Sequence, residues 1–323
     1  MFDAPPRITA EIAFRLPASL SRAGDTAPWL RLHRNGAPLG SFLEGPSFDQ
    51  DGHLYVVDIP FGRVFRIAPD GHFDVVIQYD GQPNGLKFGP DGAAWISDFA
   101  RGLLRLEPSS GRIETVLDAR EHGFHGLNDL YFHGDECWFT DQGMSGLQAP
   151  FGRVMRWRIG GRAPEVFLDG IPSPNGIVVD QAGRHVLIAV TRANAIWGAP
   201  ILLDGGTAKV GLFIQMSGCS GPDGMALDVL GNLAVAHPGL GAAWLFSDRG
   251  EPMLRIDSPL TSVITNCAFG GPDRRDLYLT EADSGVVLRA RLPHPGLILP
   301  APAAAAGTGG SPARTPDASA QAG

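Results

Sequence analysis

Four oxygen-bearing side chains, Glu44, Asn128, Asn175 and Asp223, each open the same short phrase of this chain. The phrase reads Glu44-Gly45-Pro46-Ser47-Phe48, Asn84-Gly85-Leu86-Lys87-Phe88, Asn128-Asp129-Leu130-Tyr131-Phe132, Asn175-Gly176-Ile177-Val178-Val179, Asp223-Gly224-Met225-Ala226-Leu227 and Asn266-Cys267-Ala268-Phe269. Two carboxylates and two amide carbonyls brought to one point make an all-oxygen donor set. Facing carboxylates repel and raise each other's pKa. A hard divalent cation relieves that repulsion, and oxygen-only ligation favours Ca²⁺, Mg²⁺ or Mn²⁺ over softer metals. Asn-Gly and Asp-Gly are also ordinary turn formers. That reading suits Asn84-Gly85 but not Glu44, since glutamate has no preference for turn geometry. Asn84 and Asn266 are therefore the weaker candidates, suited to holding water or a loop.

The elements that must position these residues follow from the same repeat. The phrase recurs at intervals of 40, 44, 47, 48 and 43 residues. A period of about 40–50 residues made of short strands marks a β-propeller. In the second repeat, Leu86-Lys87-Phe88, Ala94-Trp95-Ile96-Ser97, Gly102-Leu103-Leu104-Arg105-Leu106 and Ile113-Glu114-Thr115-Val116-Leu117 are separated by Gly, Pro, Asp and Ser turns. This is the pattern of a four-stranded antiparallel blade. The sixth repeat stops after residues 286–291, one strand short. An open blade edge exposes backbone donors and acceptors, so an N-terminal strand is expected to close the ring. Residues 8–14 are the preferred candidate and residues 29–32 the other. The expected fold is all-β: a six-bladed propeller over residues 1–294, with its inner-strand starts at one mouth of a central channel. Residues 295–323 are rich in Ala, Gly, Pro and Ser. Such a segment buries too little apolar surface to offset its ordering entropy, so a disordered tail is expected.

Bulk properties exclude several classes. A net charge of −8 opposes nucleic-acid binding, which needs a basic stripe. No apolar run reaches the roughly 18 residues of a membrane span, and the N-terminus lacks a signal-peptide pattern. Three cysteines, Cys137, Cys219 and Cys267, form no disulfide framework, and a cytoplasmic setting is the simplest expectation. Serine-hydrolase elbow, phosphate-loop, dinucleotide-fingerprint and zinc-protease motifs are all absent. A monomer or weak homodimer acting on a small molecule is expected.

The phrases carry a family resemblance over residues 8–292. The chain resembles the six-bladed propellers that include senescence marker protein (regucalcin), gluconolactonase and luciferin-regenerating enzyme. Leu43-Glu44-Gly45-Pro46, Asn128-Asp129, Pro174-Asn175-Gly176 and Gly221-Pro222-Asp223-Gly224 fall where that family carries its metal ligands. Phe139-Thr140-Asp141 and Asp51-Gly52-His53-Leu54-Tyr55-Val56-Val57-Asp58 are most similar to the bacterial drug-responsive lactonases within it. The Glu-Asn-Asn-Asp set is also similar to that of the paraoxonases and of squid-type diisopropyl fluorophosphatase. The resemblance implies hydrolysis of lactones with one divalent ion, Ca²⁺ first, then Mg²⁺, Mn²⁺ or Zn²⁺. It implies that Asp223 is both ligand and general base. Sugar-lactonase members often carry an arginine two residues before the third-blade asparagine. Here that residue is Gly126, which points to a less polar lactone.

His125, in the loop entering the third inner strand, and His237, at the end of the fifth blade's second strand, are rival bases. Loops joining second to third strands should lie on the ligand face. They make Phe61, Asp141 and Met144, together with Asn84, the candidate substrate contacts. The long third-blade loop, residues 141–152, offers Met144, Leu147 and Phe151 as a cover for an apolar ligand. Two alternatives stay open: an organophosphate or ester hydrolase with the same metal site, and a non-catalytic binding propeller.

Overall fold

The computed structural model describes residues 4–23 and 27–298. Six sheets surround one axis, each meandering outward from an inner strand. The inner strands are Leu43–Phe48, Pro83–Phe88, Leu127–His133, Pro174–Val179, Met225–Leu227 and Ile264–Gly270. Each is followed by antiparallel second and third strands, and in the first five blades by a fourth. The sixth blade takes its fourth strand from the N-terminus: Glu11–Arg15 pairs antiparallel with Val286–Arg291. Arg7–Thr9 continues past it and adds in parallel to the outer edge of blade five, along Pro252–Asp257. The expected closing segment thus splits between two blades and covers both edges. Among the described residues, no helix is long and apolar enough to cross a membrane.

Two expectations need correction. Residues 29–32 lie in a helix, Pro28–Arg34, started by Pro28 and ended by Asn35 in the left-handed conformation. Trp29 and Leu30 are its buried residues, spaced one apart rather than two, so no strand face exists to pair. The segment expected to be disordered from residue 295 starts with residues that have defined partners. Val229 N donates to Pro295 O, and Leu297 N donates to Leu227 O at 2.9 Å, so residues 295–297 dock on blade five. The rest of the expected tail, from residue 299, lies outside the described residues.

The core fills the spaces between blades. Trp138, Ile177, Val186 and Ile188, for example, pack where blades three and four meet. Polar links join the blades near the axis. Ser97 Oγ donates to Asn128 O at 2.5 Å, Thr140 Oγ1 to Asn175 O at 2.8 Å and Thr191 Oγ1 to Pro222 O at 2.8 Å. Thr265 Oγ1 donates to Leu43 O at 3.3 Å, across the join between the sixth and first blades. Each hydroxyl sits on one blade and bonds a carbonyl at or beside a ligand-candidate residue of the next. Satisfied buried hydroxyls of this kind fix the spacing between blades.

Candidate metal centre

Inner-strand pairing is irregular where the candidate ligands stand. The register shifts between Glu44 and Ser47, Pro83 and Gly85, Leu127 and Leu130, Pro174 and Ile177, and Ile264 and Asn266. Bulges of this kind re-aim a side chain out of the sheet. Asp223 precedes its short strand, and its N–H bonds Ala236 O at 2.9 Å. Two glycines make the crowding possible. Gly45 has φ +54°, and a Cβ there would stand 2.7 Å from Asn84 O; one on Gly224 would stand 2.0 Å from Asn266 Cγ.

Glu44, Asn128 and Asn175 are buried, and Asp223 is engaged with its neighbours. Gly45 N and Asn266 Nδ2, the latter at 2.8 Å, both donate to Glu44 Oε2. Asn128 Nδ2 donates to Gln142 Oε1 at 3.0 Å, which leaves its carbonyl oxygen as the group free for another partner. Gln142 Nε2 in turn donates to Ser173 Oγ at 2.9 Å. The Asn175 side chain stands beside the Asp223 carboxylate and favours its ionised form. Its own Oδ1 is buried with no hydrogen-bond partner among the described residues. A buried carbonyl oxygen without a donor is costly. A bound cation would remove that cost.

The electrostatics point the same way. Burial, and then the charge of Asp129, push the Glu44 carboxyl up to about 7. Burial, then Glu44 and then Asp129, hold Asp223 well above the ordinary aspartate range. Asp129 is a third carboxylate of this centre and was missed in the sequence. It is buried, its Oδ1 accepts from Leu130 N at 2.8 Å, and Asn266 Nδ2 approaches its Oδ2 at 3.4 Å. The available signal was that Asp129 stands where four other phrases have glycine. Lys87, whose Nζ donates to Pro46 O at 3.4 Å, is a nearby cation that favours ionised Glu44. An all-oxygen donor set, an orphaned buried carbonyl and carboxylates destabilised as anions fit a hard divalent cation.

The remaining candidates are dispersed. Asp141 is fully buried and committed: its Oδ1 accepts from His125 N at 2.7 Å and Gly126 N at 2.9 Å, and its Oδ2 from Arg153 Nε at 3.0 Å. It clamps the loop entering the third inner strand and has no free face for substrate. Asp58 does the same for Phe42 N and Asp98 for Gln82 N, each at 2.8 Å. His125 is exposed, with its ring 5.1 Å from that of Phe151 and no hydrogen bond to the quartet. His237 is buried at the clamp position of blade five. Its Nε2 lies 3.1 Å from Gly218 O, while Nδ1 has no partner among the described residues. Burial lowers its pKa. Asn84 is half-buried and its side chain bonds none of the described residues. Phe61 is separated from the quartet: it lines a side cavity of about 780 Å³ with Trp29, Tyr79 and Arg101. That larger cavity shares no lining residue with the quartet. A smaller one, about 370 Å³, includes Gln142, which bonds Asn128, and Ser173, which bonds Gln142 and stands two residues before Asn175. Met144 lines it, as expected, and so does His33 of the helix Pro28–Arg34, which the sequence reading overlooked. The glycine at 126 is required by its surroundings, with φ +142° and Phe99 ring atoms 2.5 Å from any added Cβ.

Fold and site together define a six-bladed propeller with a cation-ready, oxygen-lined centre. Residues 42–283 match the model of the SMP-30/Gluconolactonase/LRE-like region, and the chain belongs to that family. It is 26% identical over 282 residues to a gluconolactonase of Zymomonas mobilis, covering 77% of this chain and 78% of the relative. It is 26% identical over 244 residues to lactonase drp35 of Staphylococcus aureus, covering 72% and 73%. Among solved structures, a calcium-binding protein, regucalcin, from Agrobacterium tumefaciens superimposes with a TM-score of 0.70 at 21% identity, covering 90% of this chain and 98% of that one.

Proposed function

We propose that this protein hydrolyses lactones with a divalent cation held by Glu44, Asn128, Asn175 and Asp223. Its relatives' names support the reaction class. The observation that carries the metal reading is the buried, unpartnered Asn175 Oδ1 beside two carboxylates that resist ionisation. Ca²⁺ is the first candidate, supported by the calcium-binding neighbour, with Mg²⁺, Mn²⁺ and Zn²⁺ as alternatives. When bound, such an ion polarises a carbonyl and makes water more acidic.

The residues of the chain divide the remaining work. Gln142 holds the Asn128 amide by its NH₂ group and leaves its oxygen free, and Asn266 with Gly45 orients Glu44. Asp223 is the proton acceptor for the attacking water, through a carboxylate oxygen not used to hold the cation. A bound cation would lower the proton affinity that burial gives this carboxylate, and the acidity it gives the water would compensate. His125 and His237 are less suited: one makes no contact with the centre, and the other is buried against loop backbone.

The test is turnover of the chelated protein before and after each cation is restored, with an aromatic lactone, a sugar lactone and a phosphotriester compared. Metal-restored lactone hydrolysis supports the reading. Preference for the phosphotriester moves the activity to organophosphates, and undiminished turnover after complete chelation removes the metal.

A further inference from the structure

We infer that Arg192 forms an anion subsite beside the proposed centre, and that the preferred substrate is a lactone bearing a carboxylate or equivalent anionic group. The inference rests on the lactonase reading and names its substrate class.

Arg192 lies in the loop joining the second and third strands of blade four, within the short helical turn Thr191–Ala193. The backbone there is held on both sides. Thr191 is buried and its Oγ1 donates to Pro222 O, adjacent to Asp223, while Asn194 Nδ2 donates to Gly218 O at 2.9 Å. Arg192 itself is exposed and forms no hydrogen bond or ion pair with the described residues. Most other arginines of this acidic chain do, Arg63, Arg153 and Arg291 among them. An unpaired guanidinium on a fixed backbone stays available for a ligand.

Arg192 lines the 370 Å³ cavity with His33, Gln142, Met144, Leu147 and Ser173, and no carboxylate lines that cavity. Burial lowers the pKa of His33, so Arg192 is the permanent positive charge of the lining. Asp223 is the acid that senses Arg192. Planar, forked N–H donors match a carboxylate in two bonds. Met144 and Leu147, 53% and 70% exposed, supply an apolar flank for the body of the ligand. The subsite enters from blade four, whereas position 126 of blade three has no room for a side chain.

The experiment compares two γ-lactones of equal ring size in the full-length protein with its best cation. One carries a carboxylate on the carbon beside the ring oxygen, the other a methyl group there. The wild type should favour the carboxylated lactone in kcat/KM. Arg192→Gln should reduce that preference about tenfold or more, mainly through KM, and Arg192→Lys should restore part of it. Arg101→Gln, in the other cavity, should keep the wild-type ratio. A wild type without preference, or a ratio unchanged in Arg192→Gln, overturns the inference while leaving lactone hydrolysis intact. If neither lactone is hydrolysed, the activity reading fails instead. Calorimetry with the corresponding carboxylated and methylated lactams then decides the subsite. Tighter binding of the carboxylated lactam that Arg192→Gln abolishes supports it, and equal binding of the two lactams overturns it.

Discussion

Two sets of buried polar side chains stand on the same face of this propeller and are used in opposite ways. The outer set, Asp58, Asp98, Asp141 and Glu281, ends the second strands, and each acid is fully paired. Asp58, Asp98 and Asp141 accept backbone N–H groups, and Asp58 and Asp141 also hold an arginine. Glu281 accepts from Thr261 and Ser284. The inner set, Glu44, Asn128, Asn175 and Asp223, opens the inner-strand phrases and is left short of donors, most plainly at Asn175 Oδ1. Burial raises the pKa in both settings, at Asp58 and Asp98 as at Glu44 and Asp223. The difference is that near neighbours of Glu44 and Asp223 are themselves acids. A carboxylate surrounded by N–H groups is a fastener, and one surrounded by carboxylates has the setting proposed above for a cation.

The largest effect separating the two sets should come from Asp223→Asn. It keeps an oxygen and removes basicity, so lactone turnover should fall by about 10²–10⁴ at saturating metal, with little change in melting temperature. Turnover near wild type with full metal occupancy would take the base role from Asp223. At the outer set, Asp141→Ala should behave conversely. It leaves Arg153 and two N–H groups without their acceptor and should cost about 3 kcal/mol in denaturant unfolding. A melt unchanged from wild type would show that the clamp contributes nothing.

The pH dependence of the metal-free protein sharpens the contrast. Glu44 is raised from 4.5 to about 7. Between those values the folded chain keeps a proton that the unfolded chain has released. Stability should therefore fall as pH rises through this window, by about 3 kcal/mol at most. Saturating divalent cation should flatten that slope, because ligation favours the ionised carboxylates. A metal-free protein that gains stability from pH 5 to 7 would contradict the inner set's strain. The smallest effect is expected from Gln142→Ala, which frees the Asn128 amide to rotate. Metal affinity should weaken about tenfold, read by titration calorimetry, and the fold should be retained.

The ring was legible in the sequence because six phrases kept one period, and the quartet because a glutamate in a turn-like phrase has no turn to make. Asp129 was harder to see because it directly follows Asn128, and neighbours in a regular strand face opposite ways. The bulge between Leu127 and Leu130 breaks that alternation. Asp141 was misread as a substrate contact because its position borders a long loop. Its pairing with Arg153 and with two backbone N–H groups exists only in three dimensions. The helix Pro28–Arg34 was concealed by Trp29, Leu30 and Leu32, whose apolar character suits a strand equally well; the exposure of Leu32 shows which spacing prevailed. Phe61 follows the second strand of blade one, but Trp29 and its helix turn that region into a separate cavity.

The pairing of Glu11–Arg15 with Val286–Arg291 also governs how the molecule is made. Arg289 and Glu11, joined at 3.2 Å, are separated by 278 residues. On the ribosome, this N-terminal strand must wait as an unpaired edge until its partner near residue 290 has emerged, and long-range pairing of this kind is slow. Blades one to four can fold in order of synthesis from their own local strands. The proposed cation site would not follow that schedule, because its candidate donors come from blades one, three, four and five. It comes into being only once the circle of blades brings the last of them round to Glu44.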